Sequence, residues 1–271
     1  NKMIEYTDIF FTGSDQIWNP AYVTPPFVLG FVPDGKTKVA YGSSIGVSEL
    51  DKISKKFFYK YLSKFNAIGV REKTAENIFK NLVNVNVCTV LDPTFLLNKD
   101  EWDKIAKKSS LDKSTIGKYI FCYFIGNNSE WQIKVKKYAE EMGLKILTAL
   151  SESYIIPDVG EYTAAYGVED FIYLLQNAEI VVTDSFHACA ISINFNKDFF
   201  VFERFSNDNK FSQNSRIYDL LEMFSLKNRI VNRDISLNDE KINYNFVNSI
   251  LASKVDESKM FINHIMSKEV K

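Results

Sequence analysis

The sequence predicts an α/β protein built on parallel sheets covered by helices on both faces. Two observations carry that prediction. Short apolar runs recur along the chain, and the stretches between them are amphipathic with a helical period. The runs are continuously apolar instead of alternating, which is the pattern of strands buried on both sides.

In the first third, Ile9-Phe10-Phe11-Thr12 opens the series, and further strands fit residues 38–41, 67–70 and 87–91. Helices fit 49–64 and 73–80, so each strand but the first is entered from a helix or a polar loop. The run 97–114 holds a short helix around Trp102 and then a Lys- and Ser-rich stretch, and the domain boundary is expected between 97 and 117. Beyond it, strands fit 118–125, 144–149, 180–183 and 199–203, with helices over 130–142, 168–176, 186–193 and 216–224. From Asn238 the composition turns polar, yet Phe246, Ile250, Leu251 and Val255 form a helical stripe. The expected organisation is therefore a first domain over 1–97, a second over 117–240, and a helix over 241–271 that docks back. No fixed-period repeat and no low-complexity tract interrupts it.

Composition narrows the function. The chain has 271 residues, 46% of them hydrophobic, and 33 basic against 34 acidic side chains, for a net charge of −1. Without a basic surface it lacks the electrostatic footprint of a nucleic-acid binder. Its apolar runs fall far short of the ~20 residues of a membrane-spanning helix. The first ten residues show no basic-then-apolar order, so no secretory signal is expected there, and the missing initiator Met suggests a cut or processed start. Cys88, Cys122 and Cys189 are odd in number, lie in apolar contexts and lack metal-ligand spacing, which reads as buried thiols in a reducing cytoplasm. No metal site and no cofactor are expected.

Cations of one kind are scarce: 28 of the basic residues are Lys, and only Arg71, Arg204, Arg216, Arg229 and Arg233 are Arg, beside His187 and His264. In parallel α/β sheets ligands sit beyond the carboxyl ends of the strands, where helix N-termini offer free N–H groups. Four predicted strand ends carry polar clusters: Gly13-Ser14-Asp15-Gln16-Ile17-Trp18-Asn19, Gly42-Ser43-Ser44-Ile45-Gly46, Arg71-Glu72, and Asp184-Ser185-Phe186-His187. Each cluster alone reads equally as a turn or an N-cap. Arg71 reads either as an anion fork or as a surface ion pair with Glu72 or Glu76. Arg216 follows Asn214 at a helix start, where a cation opposes the dipole and calls for an anionic ligand or a carboxylate partner. Asp92-Pro93-Thr94 reads as a turn, His264 as a surface or packing residue, and Arg204, Arg229 and Arg233 as solvated charges, with Arg204 following a strand.

These segments, in this order and joined by Val70-Arg71-Glu72, Leu91-Asp92-Pro93-Thr94 and Asn214-Ser215-Arg216-Ile217, resemble the polysaccharide pyruvyl transferase family from about residue 8 to about residue 230. The resemblance implies a GT-B-like fold, with two Rossmann-like domains facing a cleft, and transfer of a pyruvyl group from phosphoenolpyruvate to a sugar as a ketal. Members normally carry a βα stretch ahead of the Gly-Ser-Asp-Gln segment, so the first domain is expected to be incomplete. Characterised members often have Arg-Leu-His where this chain has Ser185-Phe186-His187, and Arg216 or a lysine is expected to replace the missing cation.

Ketal formation needs protonation of the donor CH2 carbon, two anion sites and a base for the sugar hydroxyl. His187 is the expected acid and a phosphate ligand, and Asp15 the expected base, with Asp184 more a cap than a catalyst. Arg71, Ser185, Asn214 and Arg216 are expected on the donor, and Ser14, Asp15, Gln16, Trp18, Asn19, Ser43 and Ser44 on the acceptor, Trp18 by stacking. The partners are phosphoenolpyruvate and a sugar or oligosaccharide, with a lipid- or nucleotide-linked carrier compatible. A cytoplasmic protein at the inner face of a bacterial membrane would fit, held peripherally. Two competing readings are a glycosyltransferase of the same architecture using a nucleotide-sugar, and a silent fragment that binds a glycan or a protein partner.

Overall fold

A computed structural model describes residues 2–111, 116–126, 130–150, 161–162, 167–205, 212–232, 237–238 and 240–269. The chain forms two compact units, one of Asn1–Leu96, Lys210–Met223 and Ser249–Lys271, the other of Leu97–Asn209 and Phe224–Asn248. Each expected element is present with its ends within a few residues, while the short elements Lys2–Glu5, Glu161–Tyr162 and Ile230–Val231 were not expected.

After a helical turn α1 (Lys2–Glu5), the first unit holds β1 (Ile9–Thr12), β2 (Thr37–Ser43), β3 (Ala67–Val70) and β4 (Val87–Thr89), parallel and in the order β1-β2-β3-β4. The crossovers are α2 (Lys52–Leu62) and α3 (Lys73–Lys80). Asp51 starts α2 by accepting from the Ser54 N–H at 2.7 Å, which satisfies one of the orphan amides of the first turn. Successive strand residues face opposite sides of the sheet. Ala40, Ile68 and Val70 enter a core with Trp18, Phe58 and Phe79. Val39 and Ala67 instead meet Phe261 and Ile265 from the last helix, α9 (Tyr244–Glu269). A buried contact between Ser258 Oγ and the Leu91 N–H, at 2.9 Å, fixes the register of α9 on this sheet.

The second unit carries β5 (Tyr119–Phe124), β6 (Lys145–Leu150), β7 (Glu161–Tyr162), β8 (Ile180–Thr183), β9 (Phe199–Phe202) and β10 (Ile230–Val231). All pair in parallel in the order β10-β9-β8-β5-β6-β7, so the chain runs outward from β5 in one direction and from β8 in the other. This is the doubly wound Rossmann order, and its topological switch point lies between β5 and β8. The connecting helices are α4 (Lys99–Ala106), α5 (Glu130–Met142), α6 (Val168–Asn177) and α7 (Phe186–Asn194). Asn98 and Glu101 close a capping box on α4, which packs on α6 through a Gln176 Nε2 to Asp103 Oδ1 bond of 2.8 Å. The fold is thus α/β with two parallel sheets, GT-B-like. No helix among the described residues is long and apolar enough to cross a membrane.

Candidate functional site

Polar groups gather at the carboxyl end of each sheet, and each end is built differently. In the first unit the chain leaves β1 at Gly13, whose φ of +111° belongs to the left-handed side, and a Cβ there would sit 2.2 Å from the Tyr41 carbonyl oxygen. Only glycine lets the loop lie this close to β2. Asp15 follows at φ +59° and bridges to Ser43 at the end of β2. Its side chain, 58% exposed, meets Arg71 Nη2 at 3.2 Å.

Arg71, at the end of β3, is the hub of this end. Its Nη1 donates to Asp92 Oδ2 at 2.8 Å, and its Nε lies 3.7 Å from Glu72 Oε1. Burial opposes the charge on Arg71, but Glu72, Asp92 and Asp15 outweigh it and hold the pKa above its ordinary value. Glu72 accepts from Ser44 Oγ, and full burial drives its carboxyl up although Arg71 and Ser44 pull it down. Asp92 also accepts from the Thr94 N–H and Oγ1, so the Asp92-Pro93-Thr94 turn and the ion pair share one carboxylate.

Arg71 is therefore not an open fork. Its side chain is 1% exposed and its donors face the protein's own carboxylates, so the expectation of direct anion binding, and that of a surface pair, give way to a buried network. Glu76, the other expected partner, is taken elsewhere: burial would raise its carboxyl, but bonds from Lys80, Thr89 and Lys73 hold it down at about 2.

Several acceptor expectations change in the same way. Trp18 is fully buried among Phe58, Phe65 and Phe79 with its Nε1 donating to the Phe27 carbonyl at 2.9 Å, so it is a core pillar and presents no face to a sugar. Asn19 is buried and caps a turn by accepting from the Ala21 N–H, while Gln16, Ser43 and Ser44 are buried as well. Ser14, half-buried, and the exposed Asp15 remain open to a ligand. Arg216 and Asn214 are buried at the start of α8 (Ser215–Met223), with Arg216 Nη2 bonded to Gln213 Oε1 at 3.3 Å. Tyr22, absent from the sequence prediction, stands 49% exposed beside Asp15. Partial burial raises its hydroxyl pKa, with Arg216 opposing and Asp15 adding.

In the second unit, Asp184 follows β8 and accepts from the Ile125 and Gly126 N–H groups, both at 2.8 Å, which ties the carboxyl ends of β5 and β8 at the switch point. Arg204, at the end of β9, clamps it through Nε at 3.3 Å and reaches the Asp184 carbonyl through Nη2 at 3.1 Å. Ser185 is buried and caps α7 through the Ala188 N–H at 3.4 Å, so its hydroxyl serves the helix before any ligand. His187 stands in the first turn of α7, half-buried, edge-on to Phe186 with ring centroids 5.5 Å apart. Asp184, Ser185 and His187 thus converge on the switch point, as the sequence expected of a strand end.

Two Arg residues read as solvated are not. Arg204 is the clamp just described, and Arg229 is buried, donates to the Glu240 carbonyl at 2.8 Å and lies over the Phe200 ring. A long stem lets guanidinium pack on apolar surface while its donors find oxygen. Arg233 lies outside the described residues. His264 is exposed, and Cys122 and Cys189 are buried free thiols while Cys88 is half-buried. A cavity of about 630 Å³ in the first unit, lined by Glu76, Cys88, Asp219 and Glu257 among others, contains none of the expected site residues.

A family model for polysaccharide pyruvyl transferases matches residues 2–207. The chain belongs to the polysaccharide pyruvyl transferase family. No protein of curated function matches this family member. Among solved structures, a putative UDP-N-acetylglucosamine 2-epimerase from Listeria monocytogenes is similar to it at 11% identity and a TM-score of 0.52, over 94% of this chain and 70% of that one. A UDP-GlcNAc 2-epimerase from Neisseria meningitidis bound to UDP-GlcNAc gives 8% and 0.49, over 92% and 76%. The wall teichoic acid polymerase TagF, as its H444N variant with CDPG, gives 12% and 0.48, over 98% and 73%. At such identities the likeness of this pyruvyl transferase relative to the Listeria protein speaks for the fold and for nothing finer.

Proposed function

We propose that this protein transfers the pyruvyl group of phosphoenolpyruvate to two hydroxyls of a sugar in a cell-surface or exopolysaccharide precursor, releasing phosphate and leaving a ketal. The observation that carries the reading is the place of His187, in the first turn of a capped helix at the switch point of a Rossmann-ordered sheet. A helix start favours an anion, and a bound phosphate favours protonated imidazole.

His187 gives a proton to the donor CH2 carbon, and the cationic C2 that results is attacked by the first sugar hydroxyl, whose proton is lost to water. The C2–O bond to phosphate then breaks, and the second hydroxyl closes the ketal as its proton leaves with phosphate. Asp15, exposed on one side and held by Arg71 on the other, is suited to accept from a sugar hydroxyl. Arg71 acts as a positioning residue. Tyr22 takes the stacking role that the buried Trp18 does not fill, and Ser14, half-buried and next to Asp15 in the chain, offers a hydroxyl.

Phosphate release from phosphoenolpyruvate, followed with a panel of sugar acceptors, tests the reading. His187→Ala should lower turnover by about 10²- to 10⁴-fold with an unchanged circular dichroism spectrum. Near-normal turnover in that variant, or release driven by nucleotide-sugars in place of phosphoenolpyruvate, would overturn it.

A further inference from the structure

At the amino end of β2, opposite the end that carries Ser43, Lys38 is buried where a strand begins. Its backbone is fixed by Asn66, whose Oδ1 accepts from the Lys38 N–H at 2.9 Å and whose N–H donates to the Lys38 carbonyl at 2.8 Å. The side chain is 5% exposed, and its Nζ lies 3.9 Å from Asp34 Oδ1, beyond hydrogen-bond reach. Nζ makes no hydrogen bond to any described residue. The Asp34 carboxylate is already occupied, since Lys64 Nζ donates to both of its oxygens at 3.1 Å. The Lys38 stem is thus buried while its ammonium opens outward, paired with Asp34 only at ion-pair distance and with donors left for a further anion.

The space for one is present. A cavity of about 310 Å³ is lined by Lys36, Lys38, Lys64, Asp34 and Asn66, together with Gly35 and Thr37. Three ammonium groups thus face one carboxylate. Asp8, which meets Lys36 at 3.2 Å, is 83% exposed and outside this lining, so water screens most of its charge. With Asp8 counted against Lys36, three ammonium groups meet two carboxylates, an excess of one positive charge with at least one unused donor for a phosphoryl oxygen. Gly35, at φ +91° with nothing within 4 Å of an added Cβ, leaves the rim open.

We propose that this cavity is an anion site for a phosphoryl group, free or esterified, with Lys38 as its inner donor and Lys36 and Lys64 at its rim. It stands apart from the residues assigned to catalysis: Ser43 is five residues along β2, roughly 16 Å at about 3.3 Å per residue. The inference does not rest on the proposed reaction. Burial lowers the pKa of Lys38 against the pull of Asp34, and a bound anion would oppose that shift.

The test uses the wild-type chain. Reductive methylation followed by mass spectrometry reads the reactivity of Lys38 in potassium phosphate, in glucose 1-phosphate and in potassium chloride at matched ionic strength. Phosphate should slow modification of Lys38 about tenfold relative to chloride, and stronger protection by glucose 1-phosphate would mark the ester as the better ligand. Equal rates in all three would overturn the proposal. Calorimetry of phosphate binding in a His187→Ala background, which removes the proposed donor site, gives the second measure. There Lys38→Met should weaken binding about tenfold or more, the loss expected for one charged hydrogen bond, and wild-type affinity would overturn the proposal. If Lys38→Met fails to fold, Lys64→Gln in the same background is read by the same criterion.

Discussion

At the carboxyl end of the first sheet one buried guanidinium gathers three carboxylates, Asp15, Glu72 and Asp92, from three different strand ends. At the carboxyl end of the second sheet one carboxylate, Asp184, gathers two backbone amides and a guanidinium. The first end is held by ion pairing that is buried apart from Asp15, where removing one partner of the buried Arg71–Asp92 pair leaves the other uncompensated. The second is held largely by backbone dipoles, which cost less to bury and leave His187 half-open at the helix start. Charge fixes Asp15, whereas capping holds the helix start that carries His187.

The sharpest way to break this comparison is Arg71→Met, which strands three carboxylates around an apolar side chain. It should cost about 3–5 kcal/mol of stability in urea unfolding, and a cost below about 1 kcal/mol would show that the network does not hold the strand ends. Asp184→Ala should cost less, about 2–3 kcal/mol for the amides and the Arg204 donor it leaves unsatisfied. Hydrogen exchange at Ile125 and Gly126 should accelerate with it, and unchanged exchange would deny the tie between β5 and β8.

Gly126→Ala probes the same clamp from its other side, because a Cβ there would lie 2.4 Å from Arg204 Cγ and 2.8 Å from Asp184 Oδ2. Arg204 can swing away, so about 1–2 kcal/mol is expected in the same unfolding assay. Gly13→Ala in the first unit should cost more, since its obstacle is the Tyr41 carbonyl at 2.2 Å and φ is +111°. The reverse order would mean that the first loop yields more easily than the clamp.

The smallest effect concerns pH. Glu76, held down at about 2, contributes stability that is complete above the ordinary carboxylate range and is lost as pH falls toward 2. Glu72, pushed up by burial, has the opposite sign: its contribution is present at low pH and is lost as pH rises from the ordinary carboxylate range through its raised pKa. Glu76→Gln should flatten the acid side of the stability profile by on the order of 1 kcal/mol, because Lys73 and Lys80 are half-exposed and screened. A steeper acid side in that variant would reverse the assignment.

Much of the fold was legible because its signals are local. The run Ile9-Phe10-Phe11-Thr12 and the run Ile180-Val181-Val182-Thr183 coincide with β1 and β8, and the amphipathic stretches coincide with α3 and α5. The polar clusters that follow strands were also visible, because a turn out of a buried strand needs Gly, Ser or Asp. What the same residues do there was not. Trp18 sits three residues beyond Asp15 and looks like a sugar platform, yet the folded loop turns it into the core and leaves Tyr22 outside. Arg229 carries no local sign of its burial, since its partner, the Glu240 carbonyl, belongs to a segment without regular pattern.

The α/β class, the order of all but the shortest strands and helices, and the family to which the chain belongs could be read from the chain alone, because periodicity and short motifs are properties of neighbouring residues. Tertiary structure decided which charges meet. Arg71 lies 56 residues from Asp15 and 21 from Asp92, and the three come together only because β1, β3 and β4 end at one edge of the same sheet. Electrostatic pairing depends on distance in space and on burial, and neither is written in any local stretch of residues.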